Sequence, residues 1–428
     1  MVRNPLLGLP VHDMDVTAAM RMEDVRALCA AHGVRCREKG AFFGTLDLAV
    51  GDCRFEYAAF RAERYGAGGA HRPADVRFTE RLEEDALRRD FTVNALYYDV
   101  LRDEIIDPTG GLADLARRVV RATSPDPNVI LRDDGLRILR MARFAAELGF
   151  SVEESTLAAA RANAAGIQDI SAERVREELD KILLSDIRYG LGRERVLEGL
   201  RLLCEAGALA AVLPEVAAGA GIVQRPEYHA YDVQEHMLHA CACAKPDRVA
   251  RLAALLHDVG KPVMVQRTGR MLGHDVTGAE IAREILSRLK YPNAVRDEVA
   301  ALVRWHMYDL NGNAKETTLR RRFAELGADH VLALADLREA DVHGSGRITG
   351  EVKSAARWRA VLARMRAEGA PLSPAELRCT GADVMQWLGI PPSPRVGEIK
   401  RALLLHCACH PKDNRPERLR QITKDIGG

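Results

Sequence analysis

The 428-residue chain has no run of about 18 uncharged apolar residues, which is what a membrane-spanning helix requires. Its first residues, MVRNPLLGLPVHDMD, reach acidic side chains too early for the apolar segment of a secretory signal. The nine cysteines include the Cys-x-Cys pairs Cys241/Cys243 and Cys407/Cys409 but no Cys-x-x-Cys pair, the spacing typical of a structural zinc site. We therefore expect a cytoplasmic protein with reduced thiols and no membrane partner.

The chain also lacks an excess of charge of one sign, because 62 lysines and arginines balance 61 acidic residues and the net charge is +1. A polycationic nucleic-acid binder is excluded, so any contact with nucleic acid has to come from local basic patches. Candidate patches are Arg88-Arg89, Arg117-Arg118, the arginines between 132 and 143, and Arg320-Arg321-Arg322. For the last triplet we favour a solvated helix face, because such arginines are usually exposed to water.

Two kinds of periodicity divide the sequence. Up to about residue 120, short β-rich runs such as GTLDLAV and CRFEYAAF alternate with turn signals. From about residue 125 on, apolar residues recur at intervals of three and four, as in SAERVREELDKILLSD, which is typical of helices. Turn-rich breaks lie near residues 219–231 and 344–350. The sequence therefore predicts an α+β N-terminal part and an all-α remainder.

Asp13 and Asp15 in HDMDVT are the first candidate catalytic residues. Side chains at i and i+2 of a strand point to the same face, so these two carboxylates would converge. Carboxylates suit Mg²⁺, and two ions about 3.5–4 Å apart can activate a hydroxyl group and neutralise a leaving pyrophosphate. Asp-x-Asp also occurs in surface turns. Glu56 is a candidate third carboxylate, although an exposed strand residue explains it equally well.

Four blocks in a fixed order carry a resemblance to a known family. They are VRNPLLG with DMDVT at 2–17, RRDFTVNAL at 88–96, DPTGGLADL at 107–115 and LRDDGLRILRMARF at 131–144. Over most of residues 2–185, the chain resembles class II CCA-adding enzymes and bacterial poly(A) polymerases. The resemblance implies a polymerase-β-like palm domain that transfers nucleotides, in which the DPTGG segment is scaffold.

The same resemblance implies a nucleotide site. Arg88 and Arg89 would supply donors for a triphosphate or ribose, with Asp90 fixing one guanidinium group. Asp134 and Arg137 share a helix face and would choose CTP or ATP at the edge of the base. Asp133 stands where the family has glutamate, and Gly135 where it has proline. The implied nucleotide-binding residues are Arg3, Arg88, Arg89, Asp90, Asn94, Asp133, Asp134, Arg137 and Arg140.

A second constellation of histidines and aspartates lies between residues 228 and 345 and resembles the HD phosphohydrolase superfamily. The resemblance implies that His236, His257, Asp258 and Asp341 hold a divalent metal, which we expect to be Ni²⁺, Mn²⁺ or Mg²⁺. His274 and His306 would extend this site to a second metal or to the substrate phosphate, and Lys261 would be a further auxiliary residue of the site.

Together these features predict four segments. Residues 1–122 would form the nucleotidyltransferase head, 123–220 a helical neck and body, 221–350 the HD domain and 351–428 a helical tail. The predicted function is addition of C and A to tRNA 3′ ends, with tRNA, CTP and ATP as partners. Alternatives are a poly(A) polymerase, an HD phosphohydrolase with an impaired transfer site, and an RNA-binding protein without chemistry.

The start of the chain leads to one more expectation. In the family, a strand ending in Gly-Gly precedes the V-R-D segment, and its backbone amides approach the triphosphate. Here Met1 and Val2 stand directly before Arg3, and Asn4 replaces the family's aspartate. We expect low transfer activity from the chain as written and a true start about 20–40 residues upstream, an estimate from typical helix and strand lengths.

Overall fold

The structure is a computed structural model that describes residues 2–11, 14–64, 66, 73 and 75–427. Asp13 lies outside the described residues. Two compact units make up the fold: Met1–Ala218 with Ile285–Tyr291, and Gly219–Glu284 with Pro292–Gly428. None of the described helices is both long enough and apolar enough to cross a membrane.

The first 218 residues combine strands and helices, as the alternating runs and turn signals predict. The strands are β1 (Asp15–Ala18), β2 (Arg35–Gly40), β3 (Thr45–Val50), β4 (Cys53–Ala59), β5 (Arg61–Arg64), β6 (Asp75–Phe78), β7 (Tyr97–Asp99), β8 (Glu104–Ile106), β9 (Val119–Val120) and β10 (Ser151–Val152). The helices are α1 (Arg3–Leu6), α2 (Met22–Ala31), α3 (Leu82–Leu87), α4 (Gly111–Arg117), α5 (Pro127–Asp133), α6 (Leu136–Leu148), α7 (Glu154–Asn163), α8 (Ala172–Leu183), α9 (Ser185–Arg188), α10 (Glu194–Glu205), α11 (Ala208–Val212) and α12 (Pro214–Ala217).

The described residues from 219 on form helices and no strand. These helices are α13 (Val233–Cys243), α14 (Arg248–Leu256), α15 (Lys261–Thr268), α16 (His274–Arg288), α17 (Asn293–Trp305), α18 (Glu316–Leu326), α19 (Ala328–Gly344), α20 (Lys353–Ala367), α21 (Gly381–Leu388), α22 (Pro394–Cys409) and α23 (Pro416–Gly427). The predicted fold class, an α+β head followed by helical segments, is confirmed.

A four-stranded sheet in the order β1-β4-β3-β2 positions the acidic residues. Strand β1 runs parallel to β4, and the β4–β3 and β3–β2 pairs are antiparallel. Leu46 and Tyr57 point to one face, where they pack with Val25 and Cys29 of α2. Because side chains alternate along a strand, the residues next to them point to the opposite face.

Helix α6 is the central element of the first unit, and all but one of its residues are buried. It packs against α8 and α10 and ends at Gly149, whose φ of 66° is the left-handed conformation that terminates many helices. Its start is also set by a glycine, because a Cβ at Gly135 would lie 2.9 Å from the carbonyl carbon of Gly166. Proline, which the family has here, would meet the same backbone.

In the second unit, α13, which contains His236, packs against α14 and α19. The α13–α19 contact is so close that a Cβ at Gly344 would lie 2.5 Å from Cα of Ala240. No Cβ fits in that space without movement of one helix.

Substitution of this glycine tests the packing. Gly344→Ala should lower the free energy of unfolding by about 1–3 kcal/mol, because the added methyl group forces two helices apart. Gly397→Ala in α22 is the matched control, since nothing lies within 4 Å of the position of its Cβ. The control should gain about 0.4–1 kcal/mol from the lower entropy of the unfolded chain. Thermal or urea unfolding of both variants measures the difference, and equal stabilities would contradict the close contact.

Candidate active sites

The first unit contains a cleft with a volume of about 1120 Å³. Its walls come from β1, from the block 88–96, from the β7–β8 hairpin and from one face of α6. An α-helix rises about 1.5 Å per residue, so the stretch of α6 from Leu136 to Glu147 gives the cleft a wall about 17 Å long. The predicted nucleotide-binding residues that line it are Arg3, Arg89, Asp90, Asn94, Asp134, Arg137 and Arg140.

Carboxylates lie in a row across the sheet. Asp15 opens β1 and pairs in register with Glu56 of β4, which pairs in turn with Asp47 of β3. Lys39 forms ion pairs with Glu56 and, at 3.8 Å, with Asp47. Glu56 therefore faces the same side as Asp15 on the neighbouring strand, as a third metal-binding carboxylate would require.

The buried carboxylate of Asp90 accepts hydrogen bonds from two segments that line the cleft. One of its oxygens accepts hydrogen bonds from the backbone N–H of Phe91 (2.8 Å) and from Asn94 (3.1 Å), and the other accepts from Nε of Arg140 at 2.7 Å. Burial alone would raise the pKa of Asp90, but Arg140 and the hydrogen bond from Asn94 lower it to about 2. Asn94 also accepts a 2.5 Å hydrogen bond from Arg3. The guanidinium group that Asp90 fixes is thus that of Arg140 of α6.

The two arginines before Asp90 have different surroundings. Arg88 donates to Asp85 at 2.6 Å and to Glu63 at 3.3 Å, and it is not among the described residues that line the cleft. Arg89 bonds to Asp85 and to the hydroxyl of Tyr97 at 2.9 Å, and it does line the cleft. Only Arg89 of this pair therefore faces a ligand in the cleft.

The acidic pair before α6 is also divided. Asp134 accepts from the N–H of Leu136 (3.1 Å) and from Arg174 of α8 (3.0 Å), whereas Asp133 does not line the cleft. Arg137 donates to two backbone carbonyls, those of Ile130 (3.1 Å) and Arg88 (2.7 Å). A guanidinium group has five N–H donors, so Arg137 keeps donors beyond these two bonds.

Sequence analysis missed an aromatic ring in this wall. The guanidinium carbons of Arg3, Arg140 and Arg143 lie 5.2, 5.1 and 4.2 Å from the ring centroid of Phe144. This ring packs edge-on against Phe91 at 6.0 Å. In the sequence, Phe144 belongs to the apolar stripe of α6, so nothing marks it as a support for cations.

In the second unit, six predicted residues form two adjacent groups with the geometry of metal ligands. His236, His257 and Asp341 make one group, and Asp258, His274 and His306 make the other. Within each group the candidate ligand atoms lie within 4.8 Å of one another. Asp258 connects the groups, because one of its oxygens lies 3.2 Å from Nε2 of His257 and the other 3.2 Å from Nε2 of His274.

Backbone hydrogen bonds orient three of the four rings. Nδ1 of His257 faces the carbonyl of Ala254 at 2.8 Å, that of His274 faces Met271 at 2.7 Å, and that of His306 faces Val303 at 2.6 Å. A carbonyl only accepts, so Nδ1 carries a hydrogen in each of these rings, and a ring that has lost its second proton offers the lone pair of Nε2 to a metal. Nε2 atoms approach each other to 3.1 Å in both the His236–His257 and His274–His306 pairs. The donor set therefore fits divalent transition metals.

The charges of this cluster match a cation site. Burial alone would lower the pKa of His257, but Asp258 and Asp341 raise it to about 10. Burial would raise the pKa of Asp258, yet His257 and Lys261 hold it well below its usual range. Both carboxylates are thus ionised inside the protein.

Three residues that sequence analysis did not select also belong to this site. Gln224 accepts from Lys261 at 2.7 Å, and Lys261 in turn binds Asp258. Arg338 donates to Asp341 at 2.7 Å. The ring of His229 lies 4.7 Å from that of His236, and burial, together with the electrostatic effect of His236 and Lys261, lowers the pKa of His229 to about 4. Gln224 and His229 lie in a loop and Arg338 lies in the long helix α19, and no local sequence pattern distinguishes these three residues.

The basic triplet in α18 does not form an open patch. Arg320 is buried and pairs with Glu316 (3.0 Å) and Glu368 (2.6 Å). Arg322 pairs with Glu325 at 2.7 Å and stacks on the ring of Trp305 at 4.3 Å. Two of its three arginines are therefore occupied by neighbours within the unit.

Three known protein families match consecutive parts of the chain. A family described as the poly A polymerase head domain matches residues 1–121. A probable RNA and SrmB-binding site of polymerase A matches residues 149–219, and an HD domain matches residues 227–343.

Individual proteins match over greater lengths. The A-adding tRNA nucleotidyltransferase of Deinococcus radiodurans is 41% identical over 346 residues, which cover 75% of this chain and 74% of that protein. A multifunctional CCA protein of Aromatoleum aromaticum is 36% identical over 387 residues, covering 85% and 88%. The crystal structure of the Bacillus stearothermophilus CCA-adding enzyme in complex with CTP matches with a TM-score of 0.72 and 27% identity, over 99% of this chain and 91% of that one. The chain is thus a nucleotidyltransferase that belongs to the family of tRNA nucleotidyltransferases and poly(A) polymerases and carries an HD domain.

Proposed function

We propose that this enzyme adds C and A nucleotides to the 3′ ends of tRNA from CTP and ATP without a nucleic-acid template. The observation that carries the proposal is the cleft of about 1120 Å³, which is lined both by Asp15 and by arginines of α6. Addition of A alone is the second candidate, and the name of the Deinococcus relative favours it. Supplying CTP and ATP separately and together to a tRNA without its 3′ end distinguishes them.

The proposed ligands of Mg²⁺ are Asp15 in the cleft wall and Glu56 beside it on β4, together with Asp13, which lies outside the described residues. The register of Asp15 with Glu56 supports this role, because carboxylates on adjacent strands are near enough to share ions. When bound, magnesium activates the attacking 3′ hydroxyl and neutralises the leaving pyrophosphate. Arg89 and Arg3 would bind the triphosphate from the opposite wall, and Asp90 would keep Arg140 directed into the cleft.

Asp134 and Arg137 are proposed to read the base. A carboxylate accepts a hydrogen bond from the amino group at C4 of cytosine or C6 of adenine, where uracil and guanine carry a carbonyl oxygen. Arg137 is immobilised by two backbone carbonyls, so its remaining donors keep fixed directions. Both residues lie in the wall of the cleft at the N-terminal end of α6.

We assign a second activity, hydrolysis of a phosphate ester, to the cluster around Asp258. The bridging position of Asp258 between two ligand groups supports a site for two ions, with His236, His257 and Asp341 on one and His274 and His306 on the other. Bound metals would supply the activation of water and the polarisation of the phosphate. Lys261 would keep Asp258 oriented and would bind the phosphate, and small 2′-phosphate or cyclic nucleotides are the substrates to test.

Asp15→Asn should reduce nucleotide incorporation by at least about 1000-fold, because the neutral amide removes a ligand charge at the reacting phosphate. Asp52→Asn is the matched control, since Asp52 lies in the exposed turn between β3 and β4. Labelled nucleotide incorporation into tRNA lacking its 3′ end is the measurement. Near wild-type incorporation by Asp15→Asn would refute the assignment of the catalytic face.

Asp134→Ala and Arg137→Ala should keep part of the transfer rate but lose preference among nucleotides, because they remove contacts to the base and leave the phosphate contacts in place. We expect the ratio of kcat/KM for CTP over UTP, or for ATP over GTP, to fall about 10-fold or more, the value of one or two hydrogen bonds to the base edge. Unchanged ratios in both variants would show that other residues read the base.

Metal content tests the second site. Relative to the wild type, Asp258→Asn should lose two bound Mn²⁺ ions per chain and His306→Ala one, because the two oxygens of Asp258 face one histidine ring of each group. His343→Ala is the control, as its ring bonds to the carbonyl of Gly350 outside both groups. Metal analysis after dialysis gives the stoichiometry. All variants should extend tRNA at the wild-type rate, and a folded Asp258→Asn protein that fails to do so would contradict separate sites.

A further inference from the structure

The β7–β8 hairpin ends in two apolar side chains that are almost completely open to solvent. Val100 is 74% exposed and Leu101 is 93% exposed, the highest value among the large hydrophobic side chains that the structure describes. Single exposed apolar residues are common on protein surfaces. Two in succession at the tip of a hairpin are a more specific feature, because the turn has no sequence requirement for either.

This turn is held in one conformation. The side chain of Asp99 accepts hydrogen bonds from the backbone N–H of Leu101 (2.9 Å) and of Arg102 (3.2 Å). Its carbonyl accepts from Asp103 at 2.9 Å, and Asp103 has a φ of 58° that closes the turn. These hydrogen bonds therefore keep Val100 and Leu101 exposed to solvent and away from the strands.

The base of the hairpin is fixed to the cleft. Tyr97 is buried, its hydroxyl donates to Asp85 at 2.7 Å, and it lies 2.9 Å from Nε of Arg89. Val100 and Leu101 themselves line the rim of the cleft. The same rim contains Val11 and Val16, which are 42% and 43% exposed, and Val16 follows the catalytic-face residue Asp15.

The cleft thus combines charged side chains with an exposed aliphatic pair at the tip of the hairpin. The charged side chains fit a triphosphate and the polar edge of a base, whereas the aliphatic pair fits a flat surface that presents no charge. The RNA substrate must bring its 3′ hydroxyl beside Asp15, and the unpaired base on that sugar has two such faces.

We propose that Val100 and Leu101 form a platform on which the unpaired 3′-terminal base of the RNA packs while its hydroxyl group is held beside Asp15. The inference rests on the proposed transfer function and adds a binding site for the acceptor strand to it. A second copy of the chain is a poor occupant, because a stable protein interface buries about 1000 Å² or more and two aliphatic side chains supply only a fraction of that.

The test uses the double variant Val100→Ser/Leu101→Ser and an RNA acceptor-stem hairpin ending in CC, with fluorescent pyrrolocytidine as its last base. The variant should raise the KM for this RNA about tenfold, the effect of losing one base-packing contact. The KM for ATP should stay within twofold, since the triphosphate and base-edge contacts are untouched. Wild-type protein should quench the terminal fluorophore on binding, and the variant should not.

Leu112→Ser is the matched control, because Leu112 of α4 is also exposed, at 39%, and is not among the described residues that line the cleft. An unchanged KM for RNA with unchanged quenching in the double variant would overturn the platform. So would a wild-type dimer that the double variant converts to a monomer with no change in the KM for RNA. The quenching measurement needs no catalysis, so a wild-type protein that extends no RNA would refute the transfer function and leave this test in force.

Discussion

One buried carboxylate, that of Asp90, connects the segments that form the cleft of the first unit. It joins Arg140 of α6 to Asn94, and Asn94 joins Arg3 near the start of the chain. Three segments that are far apart in sequence therefore meet at one charge-assisted network, whose interior position makes each bond strong and each unpaired member costly. Arg3 and Arg140, whose guanidinium groups lie over the ring of Phe144, are both held by this network.

Much of this arrangement could be predicted from the sequence, because it follows from periodicity and from local blocks. The spacing of apolar residues predicted the helices that contain Arg137 and Arg174, and the β-rich run around Glu56 predicted a strand. Asp134 was expected to share a helix face with Arg137, but it lies in extended backbone between α5 and α6. The four sequence blocks resemble those of a known family in their order, and this resemblance grouped the residues of the cleft. What the sequence could not specify is the direction of a long side chain once several partners compete for it.

Arg88 and Gln224 illustrate this limit. Arg88 precedes Asp90 by two residues, yet it turns to Asp85 and Glu63, acceptors that only the tertiary fold brings near. Gln224 lies in a loop without apolar periodicity and reaches Lys261, 37 residues later in the chain. Such contacts depend on loop closure and on desolvation inside the folded unit, neither of which leaves a signal in a short stretch of residues.

The shared carboxylate of Asp258 has a thermodynamic consequence for the second unit. Each of its oxygens faces a different group of ligands, so a cation bound at one oxygen changes both the charge and the rotational freedom of the carboxylate at the other. The first ion removes negative charge, which opposes the second, and it also fixes the plane of the carboxylate, which favours it. By thermodynamic linkage, the factor by which the first ion changes the affinity of the second equals the factor by which the second changes the affinity of the first. Two ions in the proposed site would therefore be bound as a coupled pair, and the occupancy of the site would depend on metal concentration differently from that of two independent sites.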